Sequence, residues 1–396
     1  MNPGYTSVRV RPGVVLVGLL ALALNLRSAL AGYPPLIETV RGELGLTAGA
    51  AGFVQTGAVL MMAAGSLAGT SAARRTGPER ALIGAVGLVA VGSLARGVPA
   101  VVPLVAGSLL VGFGIGVAGV LFTGVVKEHL ASRAGAVTGG YVVAMMVGAT
   151  VASGVAVPLA VGAGGWSPAL AVWAVPAVLA LVAWVPVARR TARPAGTPAR
   201  TRPPWRDRFA RLTAAHQSAA SLLVYGWMTW LAPYVSSRGW SARDAGLLLA
   251  VWSAAQIPGA LAIPALAERN GRWRFWSGAA LACVAVGTLG LLLSPLPPVV
   301  GPWAWVVLVG IGSGAGFPLG LTVIAWRTPD AAASAATSGL ALGVGYTVAG
   351  IGPFLMGLLI DLTRGYAAAI VVLVAAVAVQ AFAIVRIGDA AQRKSG

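Results

Sequence analysis

The sequence predicts an all-α membrane protein with twelve transmembrane helices in two six-helix bundles and both termini in the cytoplasm. Composition, twelve apolar runs and the distribution of positive charge support this fold class. Of 396 residues, 58% are hydrophobic and 10% are charged, which excludes a soluble enzyme. The single cysteine, Cys283, permits no intrachain disulfide, so packing alone must hold the fold together.

Twelve apolar runs are each long enough to cross a bilayer, which takes about 20 helical residues. The predicted spans are 13–37, 49–71, 81–98, 103–126, 134–161, 166–188, 213–235, 245–267, 275–294, 301–326, 331–360 and 366–387. The Pro- and Arg-rich segment 189–211 is predicted to be a basic cytoplasmic linker. It separates an N-terminal bundle, 1–188, from a C-terminal bundle, 212–396.

Positive charge is distributed unevenly between the two sides of the predicted membrane. One side carries 22 of the 28 Lys and Arg residues, and Arg27 lies within span 1. The other side carries five, namely Arg41, Arg96, Arg238, Arg243 and Arg364. The positive-inside rule places the termini and the linker in the cytoplasm, as in a multi-pass protein of the inner membrane. The net charge of +18 therefore indicates orientation and contact with anionic lipids, and nucleic acid is not expected as a partner.

The first apolar run has a second interpretation as a secretory signal peptide, since basic residues precede it. The run contains Asn25 and Arg27 and continues to Ile37. It is too long and too polar in its middle for cleavage, so we expect it to be span 1.

Two matches suggest that the halves are internal repeats. The loop ARRTGPER at 73–80 aligns with AERNGRWR at 267–274 at an offset of 194. The run GFGIG at 112–116 aligns with GIGSG at 310–314 at an offset of 198. Two matches at nearly one offset favour a duplicated six-helix unit, against chance similarity in a Gly- and Arg-rich chain.

Several common catalytic signatures are missing or out of context. No Asp or Glu lies near the middle of a span, so a deep carboxylate relay for protons is not expected. His129 and His216 fall at cytoplasmic ends, where solvated or packed histidines are expected. The G-x-G-x-x-G run at 114–119 lies inside a span, where small residues serve helix packing. We therefore expect no metal, no cofactor and no enzyme activity.

Arg27 is the main candidate for solute binding. It lies about 15 residues into span 1, where a charged side chain costs about 2.5–3.5 kcal/mol on insertion scales. Glu38 is about 16 Å further along the helix, too far to pair with it. Arg27 either faces a wet cavity and binds an anionic solute, or is tied to helix carbonyls or a neighbouring Gln or Tyr. Asn25 is a weaker candidate, because it lies about 200° around the helix from Arg27. With Ser28, Ala29 and Gly32 it forms a small, polar stripe that is suited to packing on a neighbouring helix.

Polar and aromatic side chains in later spans could complete the site. Ser218, Ser221, Tyr225 and Thr229 share one face of span 7, and Tyr225 is predicted to bond either the solute or a neighbouring helix. Trp230 lies on the other side of that span, where anchoring at the lipid interface is the alternative. The remaining candidates for the cavity wall are Gln55, Trp252 and Gln256.

The chain resembles the major facilitator superfamily in its two six-helix halves, its long central loop and its basic, Gly-containing loops after spans 2 and 8. The first loop departs from the usual pattern, because Arg74 stands where an acid is common; Glu268 supplies that acid in the second loop. The resemblance implies a conformational role for Arg75, Gly77, Arg80, Lys127, Glu268, Arg269 and Gly271.

Within that superfamily the chain resembles the cyanate and nitroimidazole transporter family. The matching strings are LNLR at 24–27, Lys127 followed by GGY at 139–141, YGWMTWLAPY at 225–234, QIP at 256–258, GFPL at 316–319 and GVGY at 343–346. The resemblance implies small anions or electron-poor heteroaromatic compounds as solutes.

The sequence as a whole predicts a monomeric secondary transporter that works by alternating access on a small anionic or electron-poor solute. An anion-selective channel or facilitator that uses the same Arg27 pore is the alternative. A drug-efflux antiporter for larger compounds and a membrane enzyme are weaker alternatives, the latter because His, Cys and carboxylate residues do not cluster.

Overall fold

The structure is a computed structural model that describes residues 12–130, 134–190, 204–293, 301–329 and 331–392. Regular structure in these ranges is helical, and no strand occurs in them. Most of the predicted linker, residues 191–203, lies outside the described ranges.

Fourteen α-helices and one short 3-10 helix, Pro34–Leu36, make up the described chain. The α-helices are α1 (Pro12–Ala31), α2 (Ile37–Leu44), α3 (Ala48–Thr76), α4 (Pro78–Ala95), α5 (Val101–His129), α6 (Ala134–Gly162), α7 (Trp166–Ala171), α8 (Ala174–Arg190), α9 (Arg208–Ser237), α10 (Ala242–Asn270), α11 (Trp273–Leu293), α12 (Gly301–Arg327), α13 (Ala331–Thr363) and α14 (Ala367–Gln392).

Eleven helical segments in the described residues are long and apolar enough to cross a membrane. The predicted span without a counterpart among them is span 7, which corresponds to α9. With 30 residues α9 is about 45 Å long and could cross. Its polar stripe lowers its hydropathy, and 22 of its residues are buried in protein. The count of twelve spans is therefore not confirmed, and the side on which the termini lie stays a prediction.

The chain divides into two compact units. The first comprises Met1–Gly32, Met61–Ala152 and Leu159–Pro198, and the second comprises Tyr33–Leu60, Ser153–Pro158 and Ala199–Gly396. The start of α3 therefore packs within the unit that contains α9 to α14, although it precedes α4 to α8 in the sequence. The division into bundles 1–188 and 212–396 stays a prediction.

Close glycine contacts support the internal repeat. In the first unit Gly116 lies against the backbone of Met62, and Gly65 lies against Phe113. The second unit repeats both contacts, with Gly314 against Gln256 and Gly259 against Ile311. The paired positions differ by 194 on one helix and 198 on the other, which are the two offsets that the sequence shows.

The same correspondence extends to the next helix pair. Gly92 lies against Gly107, and Gly287 lies against Trp305 at the corresponding place in the second unit. Because a Cβ at these glycines would meet backbone atoms, each repeat needs glycine at the same helix crossings. Gly114 and Gly116 of the G-x-G-x-x-G run are among these packing glycines, which confirms the prediction that they serve helix contacts.

Candidate functional site

Arg27 lies near the C-terminal end of α1, in the first unit. Its side chain is half-buried, whereas its neighbours Leu26 and Ser28 are fully buried. It has an interaction within the protein, so it is not an isolated charge. The half-buried position leaves part of the residue accessible, and its role in solute binding stays a prediction.

Asn25 packs against a neighbouring helix. Its Nδ2 donates to the carbonyl of Trp173 over 3.1 Å, and the residue has no exposed surface. Gly32 lies about two turns further along α1 and packs against the indole ring of Trp173. A Cβ at this glycine would lie 2.8 Å from Trp173 Nε1. The amide therefore joins α1 to the segment between α7 and α8, and we leave Asn25 out of the proposed solute contacts.

A buried arginine that the sequence analysis assigned to the outer side of the membrane holds the end of α1. Arg96 is 2% exposed, and its Nη1 donates to the carbonyl of Ala29 over 2.9 Å. Ala29 lies in the last turn of α1, where carbonyl groups lack helical partners and a positive charge is favourable. Arg96 therefore anchors α1 to α4.

A buried acid and a histidine pair in the first unit, and sequence reasoning missed this contact. Glu79 in the first turn of α4 is 1% exposed, and its Oε1 lies 2.7 Å from Nε2 of His129 at the end of α5. The carbonyl of Glu79 accepts a hydrogen bond from Trp184 Nε1 over 3.0 Å. An acid near a helix N-terminus and a histidine near a helix C-terminus are each favoured by the helix dipole.

The charged side chains of the loops predicted to control conformation are exposed. Gly77 has φ 87° before α4 and Gly271 has φ 63° after α10, so both require a conformation that suits glycine. The side chains of Arg75, Arg80, Glu268 and Arg269 are exposed and make no hydrogen bond or ion pair among the described residues. The side chain of Lys127 lies outside the described residues.

Several buried donors in the second unit have no acceptor among the described residues, and two of them belong to the predicted cavity wall. Gln55 Nε2 on α3 and Trp252 Nε1 on α10 belong to residues that are each 1% exposed. A buried donor without a partner costs about 1–3 kcal/mol, so such groups are candidates for ligand contacts. Gln256, one turn after Trp252, is 5% exposed, and its backbone lies against Gly314.

The polar stripe of α9 is partly satisfied within its own helix. Ser218 and Thr229 donate to the carbonyls of Ala214 and Tyr225 over 2.7 and 2.8 Å. Ser221 Oγ is buried without a partner among the described residues. Tyr225 is 3% exposed and has an interaction within the protein, so its role in solute binding also stays a prediction.

Trp230 is 2% exposed, so it is not an anchor at the lipid interface. Its Nε1 donates to the carbonyl of Pro353 on α13 over 3.0 Å. A Cβ at Gly52 on α3 would come within 2.5 Å of the same carbonyl oxygen. Because the indole N–H, its only side-chain donor, bonds to the backbone of α13, we leave Trp230 out of the proposed solute contacts.

The start of α3 and the end of α13 are held together by hydrogen bonds at the predicted outer face. Asp361 Oδ1 accepts from Ala48 N over 2.8 Å, and its Oδ2 accepts from Gly49 N over 2.7 Å. Further inward, Thr56 Oγ1 accepts from Phe354 N over 3.0 Å. We call this contact the outer seal, formed by Gly49, Gly52, Thr56, Pro353, Gly357 and Asp361.

Asp361 occupies a position that its own helix disfavours. It lies in the last turn of α13, where the helix dipole destabilises a carboxylate. The N–H groups at the start of α3 have no helical acceptor, and Asp361 accepts from two of them. Thr47 Oγ1 accepts from a third, Ala50 N, over 3.1 Å. The carboxylate is therefore stabilised by α3, and the outer seal links the two helices electrostatically.

Comparison with known proteins agrees with this architecture. The family model of the Major Facilitator Superfamily matches residues 15–337. The 2-nitroimidazole transporter of Escherichia coli (strain K12) is 33% identical over 90% of this chain and 91% of its own length. The cyanate transport protein CynX of the same organism is 28% identical over 89% of this chain and 91% of its own length.

A solved structure shares the fold. A bacterial homolog of the human lysosomal transporter Spinster, in an inward-facing and occupied conformation, superposes with a TM-score of 0.76. It is 16% identical, and the match covers 96% of this chain and 93% of that chain. The repeat of glycine contacts, the membrane-spanning helices and these matches lead to one conclusion: the chain belongs to the major facilitator superfamily and is a multi-pass membrane transporter.

Proposed function

We propose that this transporter moves a small anionic or electron-poor solute across the cell's inner membrane by alternating access. The class includes cyanate, nitrate-like ions, small carboxylates and nitroimidazoles. The similarity to the 2-nitroimidazole and cyanate transporters supports this choice. The proposed working form is a monomer whose basic loops contact anionic lipids, without a nucleic-acid partner.

The position of Arg27 carries the proposal. A guanidinium within an apolar membrane helix costs about 2.5–3.5 kcal/mol on insertion scales, and such residues commonly mark a solute pathway. Arg27 is half-buried, so part of the residue stays accessible. The guanidinium fork suits a planar acceptor such as a carboxylate or a nitro group.

Two unpartnered donors on the predicted cavity wall suit a solute that only accepts hydrogen bonds. A cyanate ion and a nitro group present acceptor atoms and no donor hydrogens. Gln55 Nε2 and Trp252 Nε1 are buried donors without an acceptor among the described residues. We assign these two groups, with Gln256 and Tyr225, to hydrogen bonding of the solute along its path.

The outer seal supports alternating access over a permanently open pore. Two charge-assisted hydrogen bonds and close glycine contacts hold α3 against α13. A solute that enters from outside would require this contact to open, and a carrier opens and closes such contacts in each cycle.

Substitution of Arg27 tests the proposal. We expect Arg27→Ala and Arg27→Lys each to weaken binding of cyanate and 2-nitroimidazole by about tenfold or more, because a charge-assisted contact is lost or loses its fork geometry. Ligand-dependent thermal stability of the purified protein measures this. Arg243→Ala is the matched control, since Arg243 is an exposed arginine at the start of α10. Unchanged affinity in both Arg27 variants would overturn the proposal.

Flux measurements in proteoliposomes separate a carrier from a channel. We expect saturable uptake that is stimulated by the same solute on the opposite side of the membrane. Flux that rises linearly with concentration and shows no such counterflow would favour the channel.

A further inference from the structure

A cavity of about 740 Å³ lies in the second unit at the predicted outer face. Its wall comes from α2, from the ends of α9 and α13, and from the start of α14. Positive charge is scarce on this face, yet Arg41, Arg238 and Arg364 all line this cavity. Three of the five basic residues assigned to the outer side therefore meet at one place.

The two carboxylates of the cavity are already committed to protein groups. Both oxygens of Glu38 lie within hydrogen-bond distance of Arg41 Nη1, at 2.9 and 3.1 Å. Asp361 accepts two backbone hydrogen bonds from the start of α3. Neither acid is paired with Arg238 or Arg364, so these two arginines have no carboxylate partner among the described residues. Three arginines and two acids give the lining a net charge of +1.

Arg364 is held at the cavity in an unfavourable backbone conformation. Its φ of 52° is the only positive value at a non-glycine among the residues that the structure describes. It directly follows the end of α13, where a left-handed residue commonly terminates a helix and glycine is preferred. A glycine at position 364 would adopt this φ without strain, but the glycine of the sequence stands at the next position, 365. The strain is tolerated at a residue whose side chain is exposed beside the cavity.

Two tyrosines give the cavity an aromatic wall. The rings of Tyr234 and Tyr366 meet edge to face, with centroids 5.7 Å apart. Arg238 lies over the Tyr234 ring at 5.4 Å, and its Nη2 donates to the hydroxyl over 3.1 Å. Burial and the charge of Glu38 raise the pKa of Tyr366, so its hydroxyl keeps its proton and can donate to Glu38 at 3.3 Å. The wall therefore adds no negative charge.

We propose that this cavity is a second binding site, specific for a planar aromatic monoanion such as an aromatic carboxylate. Arg238 and Arg364 hold the carboxylate, and the rings of Tyr234 and Tyr366 contact the aromatic face or edge. The cavity volume suits a small ligand. The site is independent of Arg27 and does not rest on the proposed function.

Binding to purified full-length protein that carries Arg27→Ala tests this site without the proposed solute contact. The probes are benzoate, its neutral isostere benzamide, and acetate, which lacks the ring. We expect saturable benzoate binding that is at least about fivefold tighter than that of benzamide or acetate, because both charge and ring contribute. Quenching of intrinsic fluorescence by 4-nitrobenzoate gives an independent affinity.

Two substitutions locate the binding. We expect Arg364→Gly and Arg238→Gln each to weaken benzoate binding by about fivefold or more through loss of a charged contact. Arg364→Gly should also raise the apparent Tm, since glycine relieves the backbone strain, so lost binding cannot be attributed to lost folding. Arg243→Gly, at an exposed position outside the cavity, should bind benzoate within about twofold of its parent.

Two results would overturn the second site. One is benzoate affinity that stays within about twofold of the parent in both Arg364→Gly and Arg238→Gln. The other is benzamide binding as tightly as benzoate, which would show an apolar site without anion preference. Loss of cyanate binding in Arg27→Ala together with either result would leave the proposed function intact and remove only the second site.

Discussion

The two ends of α3 differ in how they are held. The end that begins at Ala48 packs in the second unit, where Asp361 caps its first N–H groups and Gly52 approaches the backbone of α13. The end that finishes at Thr76 packs in the first unit, where Gly65 and Gly69 approach the backbone of α5. Arg75 in the last turn of α3 and Arg80 in the first turn of α4 are exposed without partners among the described residues.

This contrast identifies the contacts that define the observed conformation. Polar groups and close glycine contacts hold the Ala48 end of α3 against α13, whereas Arg75 and Arg80, near the other end, have no partner among the described residues. In the described state α3 and α13 are therefore in contact at the outer seal. Substitutions at the two ends should have different effects, large at the seal and small at the loop.

The largest effect is expected at the closest glycine of the outer seal. Gly52→Ala places a Cβ about 2.5 Å from the Pro353 carbonyl oxygen, a contact that requires the backbones to separate. We expect a cost of about 1–3 kcal/mol to the closed seal. Gly42→Ala is the matched control, because nothing lies within 4 Å of its Cβ position in α2. Alanine should stabilise that helix by about 0.5–1 kcal/mol.

Cysteine labelling from outside the membrane measures the opening of the seal. The probe is Ala58→Cys on α3, inward of the seal and 2% exposed, in a Cys283→Ser background. Gly52→Ala should accelerate labelling by an impermeant reagent, and Gly42→Ala should not. Equal labelling rates in the two variants would show that the glycine contact does not hold the outer end closed.

An intermediate effect is expected at Asp361. In Asp361→Asn only one side-chain oxygen can accept, so one N–H of α3 loses its acceptor and the negative charge at the helix start is lost. A cost of about 1–2 kcal/mol would raise the population of the open seal by a factor of about 5–30. The same labelling assay reports this. Asp244→Asn is the control, because Asp244 is partly exposed and accepts its side-chain hydrogen bond from Ser241, three residues away. Comparable effects of both variants would contradict the assignment.

The smallest effect on stability is expected at the exposed C-terminal ends of α3 and α10. Arg75→Ala and Glu268→Gln change side chains that have no partners among the described residues. The free energy of unfolding should therefore change by less than about 0.5 kcal/mol, and the Tm should change little. If Arg75 and Glu268 form contacts in another conformation of the transport cycle, the transport rate should fall while the Tm stays unchanged. Unchanged transport in both variants would remove the conformational role that the sequence suggested.

Sequence reasoning reached the repeated architecture because it rests on local patterns. The offsets of 194 and 198 came from short strings, and they recur in contacts such as Gly65 with Phe113 and Gly259 with Ile311. The predicted number of spans is not confirmed at α9. This helix is long enough to cross a membrane, but its polar stripe lowers its hydropathy.

Partners that lie far apart in the sequence could not be predicted from it. Asp361 is 313 residues from Ala48, and no local pattern indicates that an acid at the end of one helix caps another. Glu79 and His129 are separated by 50 residues. Taken alone, Glu79 suggested a loop residue and His129 a solvated or packed histidine. The helical angle predicts that Asn25 and Arg27 point in different directions, but only the structure identifies the Trp173 carbonyl as the acceptor for Asn25.

The burial of α9 bears on how the protein is made. It packs mainly against α13 and α14, which are synthesised after it, and it is too polar to count among the eleven segments that are apolar enough to cross a membrane. A helix of this kind gains little from lipid and much from neighbours that emerge later from the ribosome. Its stable insertion should therefore be a late event in biogenesis that waits for the C-terminal helices.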